Sequence, residues 1–272
     1  MKYLKGFLLV LTVLFCSATA KADVLVLVHG YLGSGHSWEQ SGVNAVLEQN
    51  GWIRAGLLFS GPQGIQIIPV AGGDAANKVY AVELPSTAPL TLQADHLRAM
   101  LNTLSARHPD EPIILAGHSA GGVVARLALV RSGVGNIKAL ITIASPHLGT
   151  GRAIQALEAT NSSGPTGFLK NMFGGSTYHT VKNSWGALLD LTPPRPGNML
   201  YWLNGQTHPD IAYYSVVRSG PTGLGDELVP LYSQDMNNIP ALQGKVEVRM
   251  AHAAHSLTPQ DGATLVDILS AL

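Results

Sequence analysis

The segment Val24 to Val28 reads VLVLV, an unbroken aliphatic run. A strand with one face in water would alternate apolar and polar side chains. An unbroken run has to bury both faces, which places it in a parallel sheet covered by helices. Ile113 to Ala116 (IILA), Ala139 to Ala144 (ALITIA), Ala212 to Val217 (AYYSVV) and Val246 to Met250 (VEVRM) read as further strands, with Val79 to Val82 as a shorter one. Between them the apolar spacing turns helical. Leu90, Leu97, Leu101 and Leu104 mark a helix from Leu90 to Ser105, closed by Pro109 and Pro112. Helices are also expected over Val123 to Val130 and from Asp261, after Pro259, to Leu272. This alternation predicts an α/β fold, a mostly parallel sheet with helices on both faces, and 272 residues suit one such domain. One stretch breaks the rhythm: 151–207 has no clear strand and carries Phe168, Met172, Phe173, Trp185 and Trp202. An insertion of that length in a compact domain is a candidate lid or cap.

At the N-terminus, Lys2 and Lys5 precede an apolar run from Phe7 to Phe15 and the small-x-small site Ala20-Lys21-Ala22. That layout predicts a secretory signal peptide over residues 1–22, cleaved near Ala22, and the run is short for a membrane span. The mature chain is then expected to be secreted or periplasmic, without a stable membrane anchor. Cleavage would also remove Cys16, the only cysteine, and with it any disulfide, cysteine nucleophile or thiolate metal site. Zero formal net charge and the lack of a Lys/Arg run exclude a nucleic-acid binder. A 46% hydrophobic composition excludes a disordered chain.

Gly117-His118-Ser119-Ala120-Gly121 matches G-x-S-x-G. Chance alone gives roughly 0.2 such matches in a chain of this composition, so context decides. Here the motif follows the strand Ile113 to Ala116 and opens an apolar helix, the setting in which a sharp turn exposes a serine hydroxyl. Side chains at Gly117 and Gly121 would collide with neighbouring backbone. A serine is a poor nucleophile without a base within reach and an acid to orient that base. On such a turn the acid and then the histidine follow later in the chain. Among His147, His179, His208, His252 and His255, the best placed is His255, in the loop after the last strand, with His252 as the alternative. Asp226, after the penultimate strand, is the leading acid, with Glu227 and Asp235 as alternatives. The oxyanion needs two backbone N–H donors, each contributing about 2–4 kcal/mol. Ala120 supplies one at the helix N-terminus, and Tyr31, in the glycine-flanked loop His29-Gly30-Tyr31-Leu32-Gly33 after VLVLV, supplies the other. His29 is read as a brace for that loop.

With VLVLV, HGYLG, GHSAG, a late Asp and a later His in this order, residues 23–272 resemble the α/β-hydrolase family, and within it secreted bacterial-type triacylglycerol lipases and esterases. The turn Ser145-Pro146-His147-Leu148-Gly149-Thr150 and the segment LLDLTPPRPGNMLYWLN (Leu188 to Asn204) are similar to lipase segments, whereas Gly56 to Asn77 matches only loosely. The resemblance implies a Ser119-Asp226-His255 triad, no cofactor, and often a mobile lid; the chain departs from it at Asp226-Glu227, where lipases commonly carry Asp-Gly. The expected activity is hydrolysis of small lipophilic carboxylic esters, at a lipid interface in the lipase case. Phospholipase, thioesterase, polyester depolymerase and amidase chemistry would use the same residues. A non-catalytic binding protein of this fold would be expected to have lost one of the three. No H-x-x-x-H or E-x-x-H pair suggests a metal site.

Overall fold

The computed structural model describes residues 22–70, 76–131, 135–161 and 178–272. The expected signal peptide, Cys16 and the aromatic-bearing middle of the insertion (Phe168, Met172, Phe173) lie outside them.

Eight strands form one sheet in the order β3-β2-β4-β1-β5-β6-β7-β8. They are β1 Val24–Val28, β2 Trp52–Gly61, β3 Gly64–Ile68, β4 Asn77–Glu83, β5 Ile113–His118, β6 Ile137–Ile143, β7 Ala212–Arg218 and β8 Val246–Ala251. Every neighbouring pair is parallel except the β2–β3 hairpin. The centre is where the unbroken aliphatic runs required it. All five residues of β1 are fully buried: Val24, Val26 and Val28 face one core cluster, Leu25 and Leu27 the other. The helices α3 (Leu90–Arg107) and α4 (Ala120–Arg131) pack on the first face. Trp38 on α1 (Ser37–Gln40), α2 (Val43–Gln49) and the last helix, Pro259–Ala271, close the second. Alternate side chains of a strand leave on opposite faces, so VLVLV feeds both layers at once.

The β2–β3 hairpin has no counterpart in the sequence reading. Its signal was present, since Gly61 pairs with Gly64 across a two-residue turn, Pro62-Gln63. The strands themselves are half-buried at the sheet edge, with only Trp52, Gly56 and Leu58 buried. That environment tolerates Arg54, Ser60 and Gln66, which dilute the apolar signature of a strand.

Within the insertion the described residues form α5 (Gly151–Asn161) and three short helices, Tyr178–Asn183, Trp185–Asp190 and Met199–Asn204, with no strand among them. A small apolar cluster of Ala156, Val181 and Leu188 joins the first three and packs on Tyr31, whereas Leu200 and Leu203 of the fourth belong to the main core. The Leu90 N–H donates to Asp190 Oδ2 at 2.8 Å, tying the insertion to the start of α3. No helix among the described residues is long and apolar enough to cross a membrane.

Candidate active site

Strand β5 runs straight into α4, and Ser119 occupies the single residue between them. Its φ is +53°, in the left-handed region that a β-carbon disfavours, so the turn stores strain. Packing enforces it. A Cβ on Gly121 would stand 2.3 Å from the His29 carbonyl oxygen, and one on Gly117 would stand 2.5 Å from the Gly122 Cα. Only glycine lets α4 approach β1 and β5 this closely, and that approach drives the Ser119 side chain out at the C-terminal end of the sheet. Gly30 completes the fit from the loop after β1, since a Cβ there would lie 2.9 Å from the Ser119 Cβ. Tyr31 follows Gly30 beside the serine, and Ala120 is the first residue of α4, so the two residues expected to supply oxyanion donors flank Ser119.

His255, in the loop after β8, places Nε2 2.8 Å from Ser119 Oγ and Nδ1 3.0 Å from Asp226 Oδ2. The Asp226 carboxylate has no exposed surface; Oδ1 accepts the N–H groups of Leu228 (2.8 Å) and Val229 (2.7 Å), and Gln234 Nε2 donates to Oδ2 at 3.3 Å. Burial pushes this carboxyl up, but the hydrogen bond and charge of His255, with the Val229 and Leu228 N–H groups, outweigh it and hold the acid below the usual range. A carboxylate is an acceptor only, so Nδ1 carries the proton and Nε2 offers its lone pair to the serine hydroxyl. His252, the alternative base, is exposed and hydrogen-bonded to Ser219. Glu227, the alternative acid, accepts the backbone N–H of His255 on both carboxylate oxygens at 3.1 Å and makes no bond to the ring. Asp235 accepts from Asn237 at the start of a short 3₁₀ helix.

Two contacts have no counterpart in the sequence reading. His118 Nε2 donates to the His255 carbonyl at 2.9 Å, its ring 5.1 Å from that of His255, so the main chain of His255 is gripped by His118 at its C=O and by Glu227 at its N–H. Burial and the neighbouring His255 push the His118 imidazole down to about 3, which keeps it neutral. Gln234 is the second, a buried amide that reaches from its helix to Asp226. Its target, like those of His118 and Glu227, is fixed only by the fold. His29 is buried, with Nδ1 donating to the Gly30 carbonyl and Nε2 accepting the Leu84 N–H at 3.0 Å, bonds that fix the loop before Tyr31. Above that loop, the Tyr31 hydroxyl donates to Ser184 Oγ in the insertion.

Ser119, His118, His255, Gly30 and Tyr31 border an open cleft of about 500 Å³. Leu32, Leu228 and Leu257 supply its apolar wall, and Ser37, Gln40, Ser41 and Ser256 its polar one. Among the described residues, no group of three or more His, Cys, Asp or Glu is gathered as metal donors.

A family model described as the alpha/beta hydrolase family matches residues 25–268. The chain belongs to that family. Among solved structures, a Listeria innocua protein, the lin2722 gene product, aligns with a TM-score of 0.63 at 14% identity, covering 92% of this chain and 95% of its own. The mature lipase BlEst2 of Bacillus licheniformis aligns with a TM-score of 0.57 at 15% identity, covering 93% and 92%. The RedJ thioesterase of the Streptomyces coelicolor prodiginine pathway aligns with a TM-score of 0.57 at 16% identity, covering 93% and 91%. At these identities the likeness is one of fold. No curated protein matches the sequence closely enough to add to it. The chain is thus an α/β hydrolase by family and fold, and its particular chemistry rests on the site.

Proposed function

We propose that this α/β hydrolase is an exported serine carboxylic-ester hydrolase in which Ser119 is the nucleophile, His255 the base and Asp226 the acid. The observation that carries the reading is the continuous chain from Ser119 Oγ to His255 Nε2 (2.8 Å) and from His255 Nδ1 to Asp226 Oδ2 (3.0 Å). In this reading Ser119 Oγ attacks the acyl carbon while His255 Nε2 takes its proton, and Asp226 stabilises the imidazolium. The N–H groups of Ala120 and Tyr31 receive the oxyanion. Collapse breaks the ester C–O bond, the proton passes from His255 to the leaving alcohol, and a water activated by the same histidine releases the acid from Ser119. The signal-like N-terminus supports export, and the leucine wall of the cleft supports a lipophilic acyl group. Thioester cleavage is a second reading, favoured by the thioesterase among the structural neighbours.

The test is hydrolysis of p-nitrophenyl butyrate and of its thioester counterpart, with labelling by a fluorophosphonate probe. Wild type should turn over the oxyester and label at Ser119. Ser119→Ala should lose labelling and at least about 10⁴-fold in kcat. Equal turnover by the two proteins would sink the serine mechanism, and a large preference for the thioester would favour the second reading.

A further inference from the structure

His118 is committed at only one end. Its Nε2 faces a carbonyl oxygen, which can only accept, so the proton sits on Nε2 and Nδ1 keeps a lone pair. That Nδ1 makes no hydrogen bond within the protein, and the half-buried His118 lines the cleft beside Ser119 and His255. A neutral acceptor beside the nucleophile recognises a donor on the substrate.

We propose that His118 is a specificity-determining residue whose Nδ1 accepts a hydrogen bond from a hydroxyl carried by the alcohol part of the ester, next to the scissile oxygen. The inference rests on the ester-hydrolase reading and narrows it to acyl esters of polyols, the class that includes partial acylglycerols. Three observations converge. The leaving oxygen has to meet His255 Nε2 to be protonated, and His118 borders the same cleft with its ring centre 5.1 Å from that of His255, which brings a hydroxyl on the adjacent carbon within reach of the His118 ring. The cleft continues the same polarity through Ser37, Gln40, Ser41 and Ser256, and no hydrogen bond within the protein occupies the side chains of Gln40 and Ser256. Leu32, Leu228 and Leu257 meanwhile give the acyl chain an apolar surface, so the cleft as a whole matches an ester with one oily and one hydroxylated end. An alkyl ester of equal size would displace water from Nδ1 without offering a donor in its place, and a site loses binding when a polar group that the ligand covers goes unmet.

The experiment compares 2-hydroxyethyl butyrate with propyl butyrate, two esters alike in size that differ by one hydroxyl. Wild type is expected to favour the hydroxyl ester by about tenfold in kcat/KM, since the cleft is open and water competes. Two variants divide the ring's roles. In His118→Gln the amide reaches toward the place of Nε2 and can still donate to the His255 carbonyl, but nothing replaces Nδ1, so the preference should fall to near one. In His118→Asn the amide oxygen takes the place of Nδ1 while the grip on His255 is lost, so kcat should fall for both esters with the preference retained. A ratio near one in the wild type, or a ratio unchanged in His118→Gln, overturns the proposal. A wild type that hydrolyses neither ester and leaves Ser119 unlabelled by fluorophosphonate overturns the ester-hydrolase reading together with it; hydrolysis of both esters at equal rates overturns the specificity alone.

Discussion

Ser119 and His255 come within 2.8 Å of each other, but different forces deliver them. The turn carrying Ser119 is fixed by backbone packed against backbone. α4 lies so close to β1 and β5 that Gly117 and Gly121 have no room for a methyl group, and Ser119 accepts a left-handed φ as the consequence. The loop carrying His255 has no such packing and is held by polar bonds at each step. Glu227 takes its N–H, His118 its C=O and Asp226 its ring, while Asp261 accepts the Thr258 N–H and pairs with buried Arg218 at 2.7 Å. The proposed nucleophile is thus built into the fold, and the proposed base is fastened to it by side chains. Damage to the first region should cost structure, and damage to the second should cost rate with the structure left standing.

The largest effect should follow Gly121→Ala. The added methyl would stand 2.3 Å from the His29 carbonyl oxygen and 2.5 Å from that of Val28, and neither atom can rotate away. Overpacking against backbone should cost roughly 3 kcal/mol or more, read as a fall in Tm or loss of soluble protein. A variant with wild-type Tm would show that the turn is far looser than its packing implies.

Acid should act through the buried imidazoles. His147 is fully buried; its Nε2 bonds Thr142 Oγ1 at 3.2 Å, and burial, then the nearby charges of Arg126 and His208, hold it well below its usual 6.5. His208 is pushed down to about 4 by burial and Arg126. These histidines take up protons more readily unfolded than folded, so the unfolded state gains as pH falls from 6.5 toward 4, and stability drains across that window. The Asp226 carboxyl has linkage of the same sign, but at lower pH. Its folded value lies below the ordinary 3.8, so its stabilisation is present above that value and is lost only as pH falls beneath it. Tm should therefore decline between pH 6.5 and 4, with His118 at the loop of His255 adding to the loss because it is likewise pushed down, to about 3, and His208→Gln should make that decline shallower. A Tm flat from pH 7 to 4.5 would contradict the neutral, buried state of these imidazoles.

The same contrast governs what the sequence discloses. Regions built by packing announce themselves: VLVLV, IILA and ALITIA are apolar because both faces are buried, and the glycines around Ser119 are spaced by the approach of α4. Asp226 and His255 were legible through their order and their places after β7 and β8. The β2–β3 hairpin was not, because half-buried strands at the margin of the sheet carry Arg54, Ser60 and Gln66 without penalty. Nor were the partners that fasten His255. His118, Glu227 and Gln234 reach atoms set by tertiary placement, two of them backbone groups that every residue possesses, and no side-chain pattern encodes such a target. Glu227 therefore read only as a second carboxylate beside Asp226.

The smallest effect, and the sharpest test of the contrast, belongs to Glu227. Its side chain is exposed, so replacing it should leave stability within about 0.5 kcal/mol. Both of its oxygens nevertheless accept the His255 N–H at 3.1 Å, and freeing that N–H lets the imidazole drift from the line between Ser119 and Asp226. Displacing a catalytic group by a fraction of an ångström lowers the rate of the chemical step more than it lowers substrate binding, so Glu227→Ala should lose about tenfold in kcat with KM little changed. Glu227→Gln retains one oxygen at the right distance and should recover part of the loss, which a role as the triad's acid would not allow, because an amide cannot stabilise the imidazolium. Steady-state kinetics on the two variants, with Tm measured alongside, decide the matter. A Glu227→Gln enzyme as slow as Asp226→Asn would make Glu227 a second acid, whereas a fall in Tm matching the fall in kcat would mean that the loop belongs to the fold as firmly as the turn at Ser119 does.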